Sequence, residues 1–137
     1  MYIAASEETI GMVLVQEDDE LHEHVIYYLS RNLVGPELNY SHVEKLALVV
    51  VQAVQRFRQY ILLRKTTVIL DCNPMTYILS HQFLGGKYSK WIIILQDFDL
   101  EFIKSKSNKS LVFAEIIFDL IPLALTNDVF DTKPNII

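Results

Sequence analysis

The chain predicts a mixed α/β sheet with flanking helices: three antiparallel strands followed by two strands added parallel beside the first. Three observations carry that expectation. Short strand-like runs fill the opening of the chain, a long run with helical spacing follows a Ser-x-x-Glu signal, and two later strand-like runs are separated by helical segments. With 137 residues, 51% hydrophobic and 21% charged, the chain has material for one ordinary domain and its core. That domain is placed at residues 1–121, and 122–137, which has no periodicity, reads as an irregular C-terminal tail.

Tyr2 to Ala5 and Ile10 to Gln16 read as strands, and His24 to Ser30 as a third, with the acidic run Glu17 to Glu20 preceding it. The first strand starts almost at Met1, so the natural edge of the domain is expected upstream and this strand is expected to be truncated. After the Gly35-Pro36 break, Ser41 and Glu44 stand at capping-box spacing, which predicts a helix from Ser41 to Leu63. Val43, Leu46, Ala47, Val50, Ala53, Val54, Phe57 and Ile61 recur at helical spacing, and Leu48, Val49 and Val51 widen this apolar part. Lys45, Gln52, Arg56 and Gln59 form a polar stripe on the other side. Thr66 to Leu70 has no polar alternation, as in a strand buried on both faces, and ends at Asp71. Asn73-Pro74 opens a short helix to Ser80, Gly85-Gly86 breaks the chain, and Tyr88 to Gln96 is a helix carrying Trp91. Asp99 to Ile103 is the last strand and Leu111 to Leu120 the final helix.

Several function classes are disfavoured. No apolar run reaches the roughly 20 residues that span a bilayer, and the start lacks the basic flank and apolar core of a signal peptide. A soluble intracellular protein of cytoplasm or nucleus is expected. Cys72 is the only cysteine, which excludes an intramolecular disulfide and is consistent with a reducing compartment. His22, His24, His42 and His81 have no Cys partners at zinc-ligand spacing and read as surface histidines. A net charge of −5 argues against a surface that grips nucleic acid all round. Local basic clusters at Lys87 to Lys90 and Lys104 to Lys109 are either solvated faces or nucleic-acid contacts, with Lys87, Lys90, Lys104 and Lys106 as the candidates.

Phosphodiester hydrolysis by two metal ions needs several carboxylates converging on divalent cations, and all-oxygen ligands suit Mg²⁺. In an α/β sheet such carboxylates come from strand ends and nearby helix starts, the places held by Asp71 and Glu44. Each also has a plainer reading: Glu44 completes the capping box with Ser41, and Asp71 before Asn73-Pro74 is a turn acid. Trp91 reads as core, and Cys72 as a small packing residue.

Four blocks extend this reading. Glu44 lies within Asn-Tyr-Ser-His-Val-Glu-Lys-Leu-Ala-Leu, Asp71 within Val-Ile-Leu-Asp-Cys-Asn-Pro-Met, Lys90-Trp91 precedes Leu-Gln-Asp-Phe-Asp-Leu-Glu-Phe, and Ala114-Glu115 stands near the end. With the opening Tyr-Ile-Ala-Ala-Ser-Glu-Glu-Thr-Ile-Gly-Met-Val-Leu, they resemble the ribonuclease H domain of gypsy-class LTR retrotransposon polyproteins of plant type, in the family's order from Met1 to Ile121. The resemblance implies an RNase H-like fold that cuts the RNA strand of RNA·DNA hybrids with Mg²⁺ or Mn²⁺, joined to an upstream reverse transcriptase. It also implies catalytic, metal-binding roles for Glu44, Asp71 and Glu115, while the first-strand Asp that bridges both ions falls on Ala4. Glu115 is an Asp in that family, and its local reading is an acid on the exposed edge of a helix. Because Ala4 cannot ligate a metal, weak or absent nuclease activity is expected. The alternative is a non-catalytic module that binds nucleic acid or protein, or a decayed retroelement relic.

Overall fold

A computed structural model describes residues 1–81, 86–105 and 130–132. The strands are β1 (Tyr2–Ala5), β2 (Thr9–Glu17), β3 (Glu23–Asn32), β4 (Thr66–Leu70), β5 (Leu100–Lys104) and β6 (Phe130–Thr132). They form one sheet in the order β5-β4-β1-β2-β3-β6. β1, β2 and β3 make the antiparallel meander, and β4 and β5 add parallel beside β1. The mixed five-stranded α/β sheet expected from the sequence is therefore present. β6 is an addition: three residues inside the segment read as an irregular tail pair antiparallel with Tyr28, Leu29 and Ser30 of β3. The expected helix Leu111 to Leu120 lies outside the described residues.

The alternation of β1 and β2 sorts side chains onto two faces. Met1, Ile3, Ile10, Met12 and Leu14 join the main core with Val68 and Leu70, while Tyr2 and Val13 form a smaller cluster with Val15, Val25, Tyr28 and Ile69. Over the main core lies α1 (His42–Arg56), capped at Ser41, whose hydroxyl accepts from the Glu44 N–H. Its Leu46, Ala47, Val49, Val50, Ala53 and Val54 are fully buried. Burial of each Val or Leu contributes about 1.5–3 kcal/mol relative to an exposed side chain.

Two details differ from the periodicity. The helix breaks at Phe57 (φ −110°, ψ 28°) and resumes for one turn as α2 (Arg58–Ile61). Phe57 is buried and stacks on Tyr27 at 4.9 Å, a tertiary contact that helical spacing does not encode. Lys45, placed in the polar stripe, is 7% exposed, and its ammonium donates to the Glu7 carbonyl at 2.9 Å. A buried lysine is tolerated because that bond fixes its charge against the β1–β2 turn. Gln52 of the same stripe accepts from Arg31 Nε at 2.9 Å.

The remaining elements are α3 (Pro74–Ser80), started by Asn73 whose Oδ1 accepts from the Met75 N–H, and α4 (Gly86–Leu95). Trp91 and Leu95 of α4 reach the core. In the β2–β3 turn, Leu21 takes a left-handed φ of 64° while 74% exposed. Among the described residues no helix is long and apolar enough to cross a membrane.

Candidate functional site

The site lies where β1, β4 and the start of α1 meet. Parallel pairing sets Tyr2 opposite Ile69, and the same offset carries Ala4 to the level of Asp71, just beyond the end of β4. On its other side Ala4 pairs with Gly11 of β2. The two strand positions are thus level in the sheet, and at one of them the side chain is a methyl group.

Glu44 stands at the third position of α1, and its carboxylate is fully engaged. Oε1 accepts from the Ser41 N–H at 3.1 Å, which closes the capping box. Oε2 accepts from Lys87 Nζ at 2.5 Å and from the Tyr88 hydroxyl at 2.8 Å. Burial alone raises this carboxyl, but the bonds from Lys87, Ser41 and Tyr88 outweigh it and hold the pKa at about 2. Burial and the Glu44 charge together push the Tyr88 phenol upward.

Lys87 is held by more than Glu44. Its ammonium lies 4.0 Å from the Tyr40 ring centroid, 4.9 Å from Tyr88 and 5.6 Å from Trp91. Tyr40 and Tyr88 both meet Trp91 edge-on, so three rings and one carboxylate enclose a single cation. Such contacts contribute about 0.5–2 kcal/mol each according to solvent exposure. In this arrangement the ammonium supplies the positive charge beside Glu44.

Asp71 and His42 form a second pair. His42 Nε2 is 3.0 Å from Asp71 Oδ1 and 2.8 Å from Oδ2. Cys72 follows Asp71 directly and packs partly against the core. Burial and then the adjacent Asp71 raise its thiol pKa, while the Lys104 charge acts in the opposite direction.

Two Mg²⁺ ions about 3.5–4 Å apart require several unencumbered carboxylate oxygens converging between them. The described residues do not fit that requirement. Ala4 has no donor and Glu44 is occupied by Ser41, Lys87 and Tyr88, so of the expected positions among the described residues only Asp71, exposed beside His42, offers an open carboxylate. Among the described residues, the group of three potential ligands whose atoms all lie within 4.8 Å of one another is His42, Asp71 and Cys72, a mixed N, O and S set without Glu44. Glu115 lies outside the described residues, as does Lys106. Of the proposed nucleic-acid contacts, Lys90 and Lys104 are exposed, whereas Lys87 is turned onto Glu44.

Sequence reasoning missed the Lys87 enclosure and the His42–Asp71 pair. The i, i+3 spacing of Tyr88 and Trp91 was a visible signal for a shared aromatic face. Nothing local ties His42 to Asp71, 29 residues away.

Comparison with known proteins agrees with this architecture. The family described as "RNase H-like domain found in reverse transcriptase" matches residues 1–98. The chain is similar to the retrovirus-related Pol polyprotein from transposon 297 of Drosophila melanogaster, 35% identical over 76% of the chain and 10% of that protein. It is likewise similar to the Pol polyprotein from transposon opus of the same fly, 32% identical over 86% of the chain and 12% of that protein. The Tf2-3 transposon polyprotein of Schizosaccharomyces pombe is 26% identical over 71% of the chain and 8% of its own length. The chain thus spans about a tenth of the length of these relatives. The sheet order, the alignment of Ala4 with Asp71 and these matches agree: the chain belongs to the family of RNase H-like domains found in reverse transcriptase.

Proposed function

We propose that this chain is a retrotransposon-derived RNase H-like domain, of gypsy-class LTR origin and plant type, whose cleavage of RNA in RNA·DNA hybrids is weakened or lost. In its parent polyprotein it follows a reverse transcriptase, and the hybrid made there is its substrate. One observation carries the reading. The helix-start acid, Glu44, is neutralised internally by Lys87, and the first-strand position is Ala4. Glu44, Asp71 and Glu115 are what remains of a Mg²⁺ or Mn²⁺ site. The same observation supports retention of the fold as a non-catalytic module, since Lys87 supplies charge compensation without a metal.

The test is cleavage of a labelled RNA·DNA hybrid by the chain and by its Ala4→Asp variant, with circular dichroism to confirm that both are folded. The expected result is little or no cleavage by the parent, a clear gain in the variant, and loss of that gain when Asp71→Asn is added. A folded Ala4→Asp chain without any gain would refute the assignment of the lesion to Ala4.

A further inference from the structure

We propose that His42, Asp71 and Cys72 form a binding site for a single borderline-soft divalent cation of the Zn²⁺ class. The three side chains offer an imidazole nitrogen, a carboxylate oxygen and a sulfur, and these atoms all lie within 4.8 Å of one another. Zn²⁺ accepts that mixture, whereas Mg²⁺ and Ca²⁺ select oxygen ligands throughout. With bonds of about 2.0–2.3 Å, a tetrahedral ion holds its ligand atoms roughly 3.3–3.7 Å apart, so side-chain adjustments of about 1 Å or less, which include widening the 2.8 Å His42–Asp71 contact, bring the set to that spacing.

The backbone that presents these groups is fixed on both sides. His42 is the first residue of α1, directly after the Ser41 cap. Asp71 and Cys72 form the two-residue link between β4 and Asn73, and Asn73 caps α3. The Ser105 N–H bonds the Leu70 carbonyl at 2.6 Å, which pins the end of β4 to the strand beside it. His42 and Asp71 are exposed and Cys72 is half-buried, so an ion approaching from solvent meets all three and keeps one position for water. The charge of Lys104, an exposed side chain, also reaches Cys72. The site shares Asp71 with the oxygen-ligand position implied by the family relationship but uses neither Glu44 nor Ala4. It stands whether or not the chain cuts hybrids.

Co²⁺ serves as the probe because a tetrahedral complex with sulfur shows visible d–d bands and a near-ultraviolet thiolate-to-cobalt band. The full reduced chain is titrated with Co²⁺, and Zn²⁺ is then added to displace it. The expected result is one Co²⁺ per chain with a thiolate band that Zn²⁺ abolishes and excess Mg²⁺ does not. Cys72→Ser removes that band, His42→Ala and Asp71→Asn each weaken binding at least tenfold, and the double variant His22→Ala/His24→Ala binds as the parent does. Absence of a thiolate band overturns the proposal. So does binding that survives the changes at His42 and Cys72 but is lost with His22 and His24, which lie against Asp18 in the β2–β3 turn.

Discussion

Replacing Lys87 with Met keeps the aliphatic stem inside the Tyr40, Tyr88 and Trp91 rings and removes the charge beside Glu44. The magnitude follows from the carboxyl itself. A fall from 4.5 to about 2 corresponds to an upper figure of about 3 kcal/mol, shared among Lys87, Ser41 and Tyr88. The Lys87 side chain is 31% exposed, and solvent screening brings the share expected of the ion pair to about 1–2 kcal/mol. The assay is urea unfolding of the parent, Lys87→Met, Glu44→Gln and the double variant. Gln preserves the capping box and removes only the charge. A coupling of about 1 kcal/mol is expected from the cycle. The pH dependence follows with a definite sign. A carboxyl held below its unfolded value contributes stability above pH 4.5, and that contribution disappears as pH falls from 4.5 toward 2. In Lys87→Met, burial acts with less opposition, so the Glu44 pKa rises and this acid-sensitive contribution shrinks. A coupling below about 0.3 kcal/mol, with the same acid limb in parent and variant, would refute the enclosure of Lys87 as a charge partner of Glu44.

Two further perturbations test the fold around the site. Arg31 is 5% exposed and gives both terminal nitrogens to Glu37, at 2.7 and 2.8 Å, and these bonds hold the Glu37 carboxyl below its ordinary value. Glu37→Ala leaves a buried guanidinium with Gln52 and Asn32 as acceptors but without its carboxylate, and is expected to cost about 3 kcal/mol by urea unfolding, more than Arg31→Met combined with Glu37→Ala. Leu21→Gly removes a left-handed side-chain penalty in an exposed turn and is expected to raise stability by about 0.5–1 kcal/mol in the same assay, without affecting metal binding.

The strand and helix order was legible because periodicity and capping are local signals. Thr66–Leu70 is a β-branched run without polar alternation and forms β4 with the expected bounds; Ser41 and Glu44 cap α1; Asn73 starts α3. Elements set by distant contacts were not legible. Phe57 at the helix break stacks on Tyr27, the buried Lys45 meets the Glu7 carbonyl, and β6 pairs with β3. The candidate site divides in the same way. Glu44 and Asp71 stood out as acids at a helix start and a strand end, and the registers place Ala4 beside Asp71. The partners that now hold those acids, Lys87 and His42, are 43 and 29 residues distant in the chain, beyond any spacing rule. Of the sequence readings of Glu44, the capping box is present, since one oxygen completes it, while the other oxygen takes the Lys87 ammonium.

The most direct measurement of the central claim is hybrid cleavage by the unaltered chain, first in Mg²⁺ and then in Mn²⁺, against a protein-free blank. Little or no product is expected in either metal, because Ala4 supplies no ligand and Glu44 is already neutralised. Robust metal-dependent cleavage of the RNA strand, abolished by Asp71→Asn, would contradict it and show that the remaining acids suffice.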